Sequence, residues 1–128
     1  MENESYRSRL FQQVYCILKK SKGILPKRIM FPLLVASLCH DVGHPGTNND
    51  FHIKARSELS IIYSDRHVLE HYHSAQTFRI LLAPGTDLLR GLSQKSYTTT
   101  RSQIVEAILA TDMKVHNELL QKIEILNK

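Results

Sequence analysis

The chain has 128 residues, of which 42% are apolar, and a formal net charge of +5. This length and composition predict a single globular domain. No apolar run approaches the roughly 18 residues that a membrane-spanning helix needs, and the first residues lack the apolar core of a secretory leader. The two cysteines, Cys16 and Cys39, lie among apolar residues, which predicts buried thiols rather than a disulfide. We therefore expect no membrane span and a cytoplasmic location.

The positive charge is concentrated in one segment. Residues 1–28 carry seven Lys or Arg against two acidic residues, whereas residues 29–128 carry ten of each kind. Nucleic-acid binding normally needs a basic face with aromatic or helical readout elements, and the sequence shows neither. We expect a solvated, basic helical segment over residues 1–28 and no nucleic-acid partner.

The first half of the chain predicts three helices. Apolar residues recur at helical spacing from Ser5 to Lys22. Residues 29–40 form a second helix, apolar nearly all round and therefore expected to be buried, with Pro32 in its first turn. After a Pro-Gly turn, a short helix is expected over about 52–63.

The second half predicts two longer helices. Asp65 is placed to cap the first of them, which stops at Pro84 and Gly85. Residues 93–100 read as a polar connection, and a long final helix is expected over about 99–126, with a kink near Thr111. Because no segment alternates with a period of two, the predicted fold class is all-α.

A carboxylate at the end of the second helix needs an explanation. Asp41 follows a mostly apolar run, and it lies at the C-terminal end of a helix, where the dipole disfavours negative charge. A buried charge without a partner costs several kcal/mol. Asp41 therefore indicates a nearby cation, and a metal ion beside His40 is the economical choice because paired metals suit phosphoryl chemistry.

The residues around Asp41 leave an alternative open. His-Asp is a common dipeptide, and a histidine at a helix end often satisfies carbonyl groups instead of binding metal. His44 would share a face with His40 only if the helix continued, and Gly43 and Pro45 argue that it stops.

A second candidate pair lies further along the chain. Glu70 and His73 are three residues apart on a predicted helix, a spacing that recurs in metal sites of helical bundles. The alternative is an exposed pair on the polar face of the helix. Both residues lie at the border of its buried side, so the pattern leaves the two interpretations open.

Three segments taken together resemble one family. HDVGHPGTNNDF, ELSIIYSDRHVLEHYH and ILATDMKVH, in this order and spacing, are similar to the class I cyclic nucleotide phosphodiesterases. The resemblance covers about residues 29–126 and implies an incomplete, multi-helix catalytic domain of the HD type. It implies hydrolysis of cAMP or cGMP to the 5′-monophosphate with divalent metals, Zn²⁺ and Mg²⁺ or Mn²⁺.

The resemblance also implies roles for individual residues. Two match metal ligands, namely His40 and Asp41. Three match residues that hold the water shell of the second metal: His44, Glu70 and Thr111. Three more match residues that support the site or line the pocket: Asn49, His73 and Met113. Tyr72 and Ser64 depart from the family pattern, which has histidine and asparagine there, and we expect them to alter hydrogen bonding around the site.

Other family residues have no counterpart in the sequence. The family's general acid and one metal ligand are histidines of an upstream segment, and this chain has no histidine before His40. The final metal-binding aspartate and the base-recognising glutamine would lie beyond Lys128. We therefore expect no catalytic general acid within these 128 residues, weak metal binding, and uncovered apolar side chains that include Ile123, Ile125 and Leu126.

Two functional hypotheses follow. The first is an incomplete phosphodiesterase catalytic domain, inactive alone, that associates with its missing half or with a full-length subunit. The second is a non-catalytic regulatory or binding module derived from such an enzyme. The absent histidines favour the second for this polypeptide, whereas the retained site residues favour the first for its parent: His40, Asp41, His44, Glu70 and Thr111.

Overall fold

The computed structural model of the protein describes residues 2–21 and 23–126, with the side chains of 2–8, 115, 117–119, 122 and 124 excepted. Within these ranges the chain is all-α, which confirms the predicted fold class. The described helices are α1 (Glu2–Lys20), α2 (Lys27–Cys39), α3 (Asn49–Lys54), α4 (Glu58–Ile62), α5 (Val68–Leu81), α6 (Gln94–Leu109) and α7 (Met113–Leu126).

The core forms where α2, α5 and α6 meet. α2 packs against both α1 and α6, and α6 also packs against α5. Ile104 and Ile108 of α6 are fully buried at the centre, so burial of these aliphatic side chains supplies much of the stabilisation. The remaining core residues are Val35, Ala36, Phe78, Leu81 and Leu89. This three-helix core fixes the ends of α2 and α6 close to α5.

The second helix differs from its prediction in two ways. It begins at Lys27, so Pro32 lies inside the helix and not in its first turn. It is also not buried all round, because Phe31 and Leu38 are largely exposed on the side away from the core. The prediction of a buried thiol is likewise wrong for Cys16, which is exposed on α1.

The helix predicted over 52–63 is two short helices. Arg56 adopts a left-handed conformation with φ of +50°, which a continuous α-helix does not tolerate. Ser57 then caps α4, because its side chain accepts a hydrogen bond from the backbone N–H of Ser60.

Asp65 does not cap α5. It has a φ of +60°, and the residue that precedes α5 is His67, whose side chain makes no capping bond. The His67 side chain instead contacts Asp112 at the far end of α6, as described below.

The polar stretch 93–100 is helical, not a connection. Ser93 caps α6 by accepting from the Ser96 N–H, and the hydroxyls of Thr98 and Thr99 donate to carbonyls one turn earlier. These local bonds satisfy the polar side chains within the helix. The predicted kink near Thr111 is a complete break between α6 and α7, where Asp112 accepts from the Lys114 N–H.

The last helix packs little against the others. Within the described residues the backbone of α7 packs against no other helix, and Nζ of Lys114 lies 3.8 Å from Oδ1 of Asp50 in α3. Ile123, Ile125 and Leu126 are exposed, as expected. In the same described ranges, no helix combines the length and apolar character that crossing a membrane requires.

Candidate metal centre

Three separate parts of the chain deliver the candidate residues to one place. The end of α2 brings His40 and Asp41, the first turns of α5 bring Glu70 and His73, and the break after α6 brings Thr111. Together with His44 they line a cavity of about 280 Å³. The structure therefore brings together six of the eight residues that the sequence singled out, and the other two lie beside them.

His40 uses both of its ring nitrogens. Nδ1 lies 3.0 Å from the carbonyl oxygen of Ser37, and since a carbonyl only accepts, Nδ1 carries the hydrogen. In the neutral ring Nε2 keeps its lone pair, and this atom lies 3.6 Å from Oδ2 of Asp41. One His40 side chain can thus donate to a backbone carbonyl and still offer a nitrogen to a metal ion, although the sequence presented these roles as alternatives.

His73 repeats this arrangement from another helix. Its Nδ1 donates to the carbonyl oxygen of Val42 at 2.9 Å, and its Nε2 lies 3.9 Å from Oδ1 of Asp41. Burial lowers the pKa of His73 below its ordinary value, an effect only partly offset by the bond to Val42 and by Asp41. The ring is therefore neutral at neutral pH, with the Nε2 lone pair directed towards the carboxylate.

This donor set fits a divalent cation. Two imidazole nitrogens face the two oxygens of one carboxylate, and each ring is held by a backbone carbonyl at its other nitrogen, as is usual for metal-binding histidines. Ligand atoms of Asp41, His44 and His73 all lie within 4.8 Å of one another. A carboxylate and neutral imidazoles suit Zn²⁺ and related ions.

His44 differs from the other two histidines in which ring nitrogen carries the hydrogen. Its Nδ1 accepts a bond from the backbone N–H of Gly46 at 2.9 Å, so in the neutral ring the hydrogen resides on Nε2. The ring stacks on that of His73, with centroids 5.4 Å apart and planes inclined by 20°. In this tautomer His44 offers a donor to the cavity, which suits a water molecule or a phosphoryl oxygen better than a metal ion.

Asn49 joins the turn after Asp41 to the start of α5. Its side-chain oxygen accepts from the Leu69 N–H at 2.8 Å, and its amide nitrogen donates to Oε2 of Glu70 at 2.9 Å. The first bond satisfies one of the free N–H groups at a helix start. The second fixes the Glu70 carboxylate at the edge of the cavity.

Thr111 and Met113 border an open cleft beside this cavity. The Thr111 hydroxyl donates to the carbonyl of Ile108 at 2.7 Å, which leaves its oxygen lone pairs to accept a bond from the cavity side. Met113 is 66% exposed. Both line a cleft of about 520 Å³ that also includes His44 and Glu70.

His67 and Asp112 also lie at the site, and no sequence motif predicted them. Nδ1 of His67 is 2.7 Å from Oδ2 of Asp112, whose side chain is almost fully buried. Ligand atoms of His67, Glu70 and Asp112 lie within 4.8 Å of one another. The i, i+3 spacing of His67 and Glu70 could have indicated this cluster from the sequence. The contact between His67 and Asp112 could not, because it spans 45 residues.

The structure shows the surroundings of the two residues that depart from the family pattern. Ser64 has a φ of +53°, a left-handed conformation that asparagine adopts more readily than serine. Tyr72 packs closely against Gly43: a Cβ atom added to Gly43 would lie only 3.2 Å from the Tyr72 hydroxyl.

Comparisons with known proteins agree on one family. Residues 8–128 match the family model described as 3′5′-cyclic nucleotide phosphodiesterase. The chain is 40% identical over 126 residues to a dual 3′,5′-cyclic-AMP and -GMP phosphodiesterase beta of Plasmodium falciparum, covering 96% of this chain and 11% of that protein. It is 43% identical over 95 residues to the 3′,5′-cyclic-nucleotide phosphodiesterase regA of Dictyostelium discoideum, covering 74% and 12%.

Solved structures give the same result. The phosphodiesterase domain of the RhoPDE fusion protein from the choanoflagellate Salpingoeca rosetta superposes with a TM-score of 0.89 and 34% identity, covering 95% of this chain and 39% of that one. The chain thus spans about two fifths of that solved chain and about a tenth of the two curated relatives. It belongs to the 3′,5′-cyclic nucleotide phosphodiesterase family.

Proposed function

We propose that this chain forms part of a metal-dependent catalytic domain that hydrolyses 3′,5′-cyclic AMP or GMP to the 5′-monophosphate. In this reaction the oxygen of water bonds to phosphorus, the bond from phosphorus to O3′ breaks, and O3′ takes up a proton. The printed names of the relatives support both the reaction and the two nucleotides.

The observation that carries the proposal is the arrangement around Asp41. His40 and His73 approach its two carboxylate oxygens from different helices, and both have their hydrogens committed to backbone carbonyls. Such a convergence of lone pairs on one carboxylate is stabilised by a cation placed between them.

The proposed cofactors are Zn²⁺ and Mg²⁺, or Mn²⁺, held by His40 and Asp41 with His73 beside them. Divalent ions at such a site would polarise a phosphoryl oxygen and lower the pKa of a water molecule. His44 offers its Nε2–H towards a water molecule or a phosphoryl oxygen. Thr111 accepts from a water molecule on the cavity side.

The remaining proposed roles are structural or concern substrate contact. Asn49 orients Glu70, whose carboxylate accepts hydrogen bonds from water at the cavity edge. Met113 lines the open cleft, where its exposed thioether offers an apolar surface to a nucleotide base.

The 128-residue chain alone is expected to hydrolyse both nucleotides negligibly. The family resemblance assigns the general acid to a histidine upstream of His40, and loss of general-acid catalysis costs roughly 10²–10⁴ in rate. We also propose that the chain associates with a further phosphodiesterase segment, of the same or another chain, and that it is cytoplasmic. The exposed apolar side chains of α7 support the association.

A chimeric enzyme tests the function directly. Residues 29–126 of this chain would replace the matching segment of the Salpingoeca rosetta phosphodiesterase domain, which supplies the segments on either side. We expect metal-dependent hydrolysis of cyclic nucleotide by the chimera and its loss in the chimera with Asp41→Asn. A folded chimera that binds metal but shows no hydrolysis would contradict the proposal.

A further inference from the structure

The turn between α1 and α2 presents apolar side chains to solvent. Ile24 is 82% exposed, and Leu25 beside it is also exposed. The backbone N–H groups of both residues donate to the carbonyl of Ser21, at 3.0 and 3.2 Å, and these bonds tie Ile24 and Leu25 to the end of α1. Covering these two adjacent aliphatic side chains with another apolar surface would be favourable, because it removes apolar area from water.

Basic residues surround this turn on both sides. Lys19 and Lys20 end α1, Lys27 and Arg28 begin α2, and all four are exposed. Residues 5–40 contain seven Lys or Arg and no Asp or Glu. The whole hairpin from Ser5 to His40 therefore has charge of one sign, while the rest of the chain carries ten basic and twelve acidic residues.

Further exposed apolar side chains extend the same surface along each helix. Ile17 lies three residues before Lys20 on α1, and Phe31 lies four residues after Lys27 on α2. Residues at these spacings are neighbours on one face of a helix. Both apolar side chains are largely exposed, so each helix combines basic and apolar groups on a solvent-facing surface.

We propose that this basic turn docks onto an anionic membrane surface. Lipid headgroups attract the four basic side chains, and the Ile24 and Leu25 side chains enter the boundary between headgroups and acyl chains. A nucleic acid would match the charge, but it would leave the two aliphatic side chains at the apex without an apolar partner. A lipid surface matches both properties, since it is negative outside and apolar beneath.

This inference is independent of the proposed phosphodiesterase function. The cavity and the open cleft beside Asp41 are lined by none of the turn residues. A chain without catalytic activity would bind the membrane equally well.

Vesicle sedimentation with the full 128-residue chain tests the charge. We expect binding to phosphatidylserine-containing vesicles, little binding to pure phosphatidylcholine, and release at high salt. Each basic residue near an anionic surface contributes about fivefold to partitioning, so Lys19→Gln/Lys20→Gln should weaken binding roughly 25-fold. Lys54→Gln/Arg56→Gln is the matched control, because α3 packs against α4 and α5 and not against α1 or α2 within the described residues.

Fluorescence tests the apolar apex. The chain has no tryptophan, so Ile24→Trp and Ile61→Trp each introduce a single reporter at a highly exposed position. We expect the emission of the first to shift to the blue on addition of phosphatidylserine vesicles, and that of the second to stay unchanged. Circular dichroism confirms that each variant keeps its helix content.

Three results would overturn the proposal. They are equal binding to neutral and anionic vesicles, a blue shift at position 61 without one at position 24, and the absence of vesicle binding by a chain that binds poly(U) RNA through Lys19 and Lys20. The last would assign the basic turn to a nucleic acid.

Discussion

Nε2 of His73 lies 3.9 Å from Oδ1 of Asp41, while Nδ1 of the same ring donates to the carbonyl of Val42. The bond to Val42 leaves only the lone pair of Nε2 to face the carboxylate. Two electron-rich groups directed at each other from different helices define where a cation is stabilised. This relationship, repeated on the other side of Asp41 by His40, underlies the first prediction.

Removal of the two proposed metal ligands should abolish metal binding. We expect weak binding of Zn²⁺ or Mn²⁺ to the wild-type chain and none to His40→Ala/Asp41→Ala, measured by calorimetry. His44→Asn keeps an acceptor for the Gly46 N–H. Because His44 presents a hydrogen, and not a lone pair, to the cavity, this substitution should weaken metal binding only about tenfold.

The matched control for this prediction uses an exposed pair. Asp50→Ala/His116→Ala removes the same two residue types outside the cavity and should leave the binding isotherm unchanged. Equal metal binding by wild type and His40→Ala/Asp41→Ala would show that the ions bind elsewhere.

Asn49→Ala should destabilise the fold and release Glu70. The change removes the bonds to the Leu69 N–H and to the Glu70 carboxylate, and loss of partners at a partly buried site costs about 1–3 kcal/mol. Asn48→Ala is the comparison, since it removes only the cap on α3 and should cost about 1 kcal/mol. Urea unfolding followed by circular dichroism measures both, and a smaller loss for Asn49→Ala than for Asn48→Ala would contradict the bridging role.

Two glycines of the turn after Asp41 should respond differently to alanine. Both have positive φ, +71° for Gly43 and +83° for Gly46, so either substitution costs about 1–2 kcal/mol of backbone strain. A Cβ at Gly43 would in addition lie 3.2 Å from the Tyr72 hydroxyl, whereas one at Gly46 meets nothing within 4 Å. Gly43→Ala should therefore lower the free energy of unfolding more than Gly46→Ala, and addition of Tyr72→Phe should relieve part of the difference. Identical urea midpoints for the two glycine variants would refute the contact with Tyr72.

Stability should fall as the pH is lowered through the histidine range. Burial lowers the pKa of His73 below its ordinary value of 6.5, so between these two pKa values the unfolded chain binds more protons than the folded one. The resulting stability is fully present above about pH 6.5 and is lost progressively as the pH falls towards the folded pKa. His71, whose pKa is lowered by burial and by His67, acts in the same direction.

Urea unfolding between about pH 7 and about pH 5, with a chelator present, measures this dependence. His73→Asn keeps a donor for the Val42 carbonyl but does not titrate, so its stability should depend less steeply on pH. His116→Asn, at an exposed position of α7, should retain the wild-type slope. The prediction fails if His73→Asn and wild type lose stability in parallel.

Local patterns determined the helical fold and part of the site. Helical periodicity placed α1, α2 and α5, because the spacing of apolar residues is a property of each segment. The position of Asp41 at the unfavourable end of a helix dipole indicated a cation from the sequence alone. The same local rules were wrong where a single backbone angle decided the outcome: the left-handed Arg56 divides one predicted helix in two.

Only the tertiary structure decided how the site residues act. The hydrogen positions on His40, His44 and His73 depend on which backbone group each ring meets, and periodicity does not specify that. Asn49 bridges to Glu70 over 21 residues, and His67 reaches Asp112 over 45. The sequence by itself predicted an all-α fold and six residues that line one cavity, whereas the packing of α2, α5 and α6 set their tautomers and partners, because these depend on distances between segments far apart in the chain.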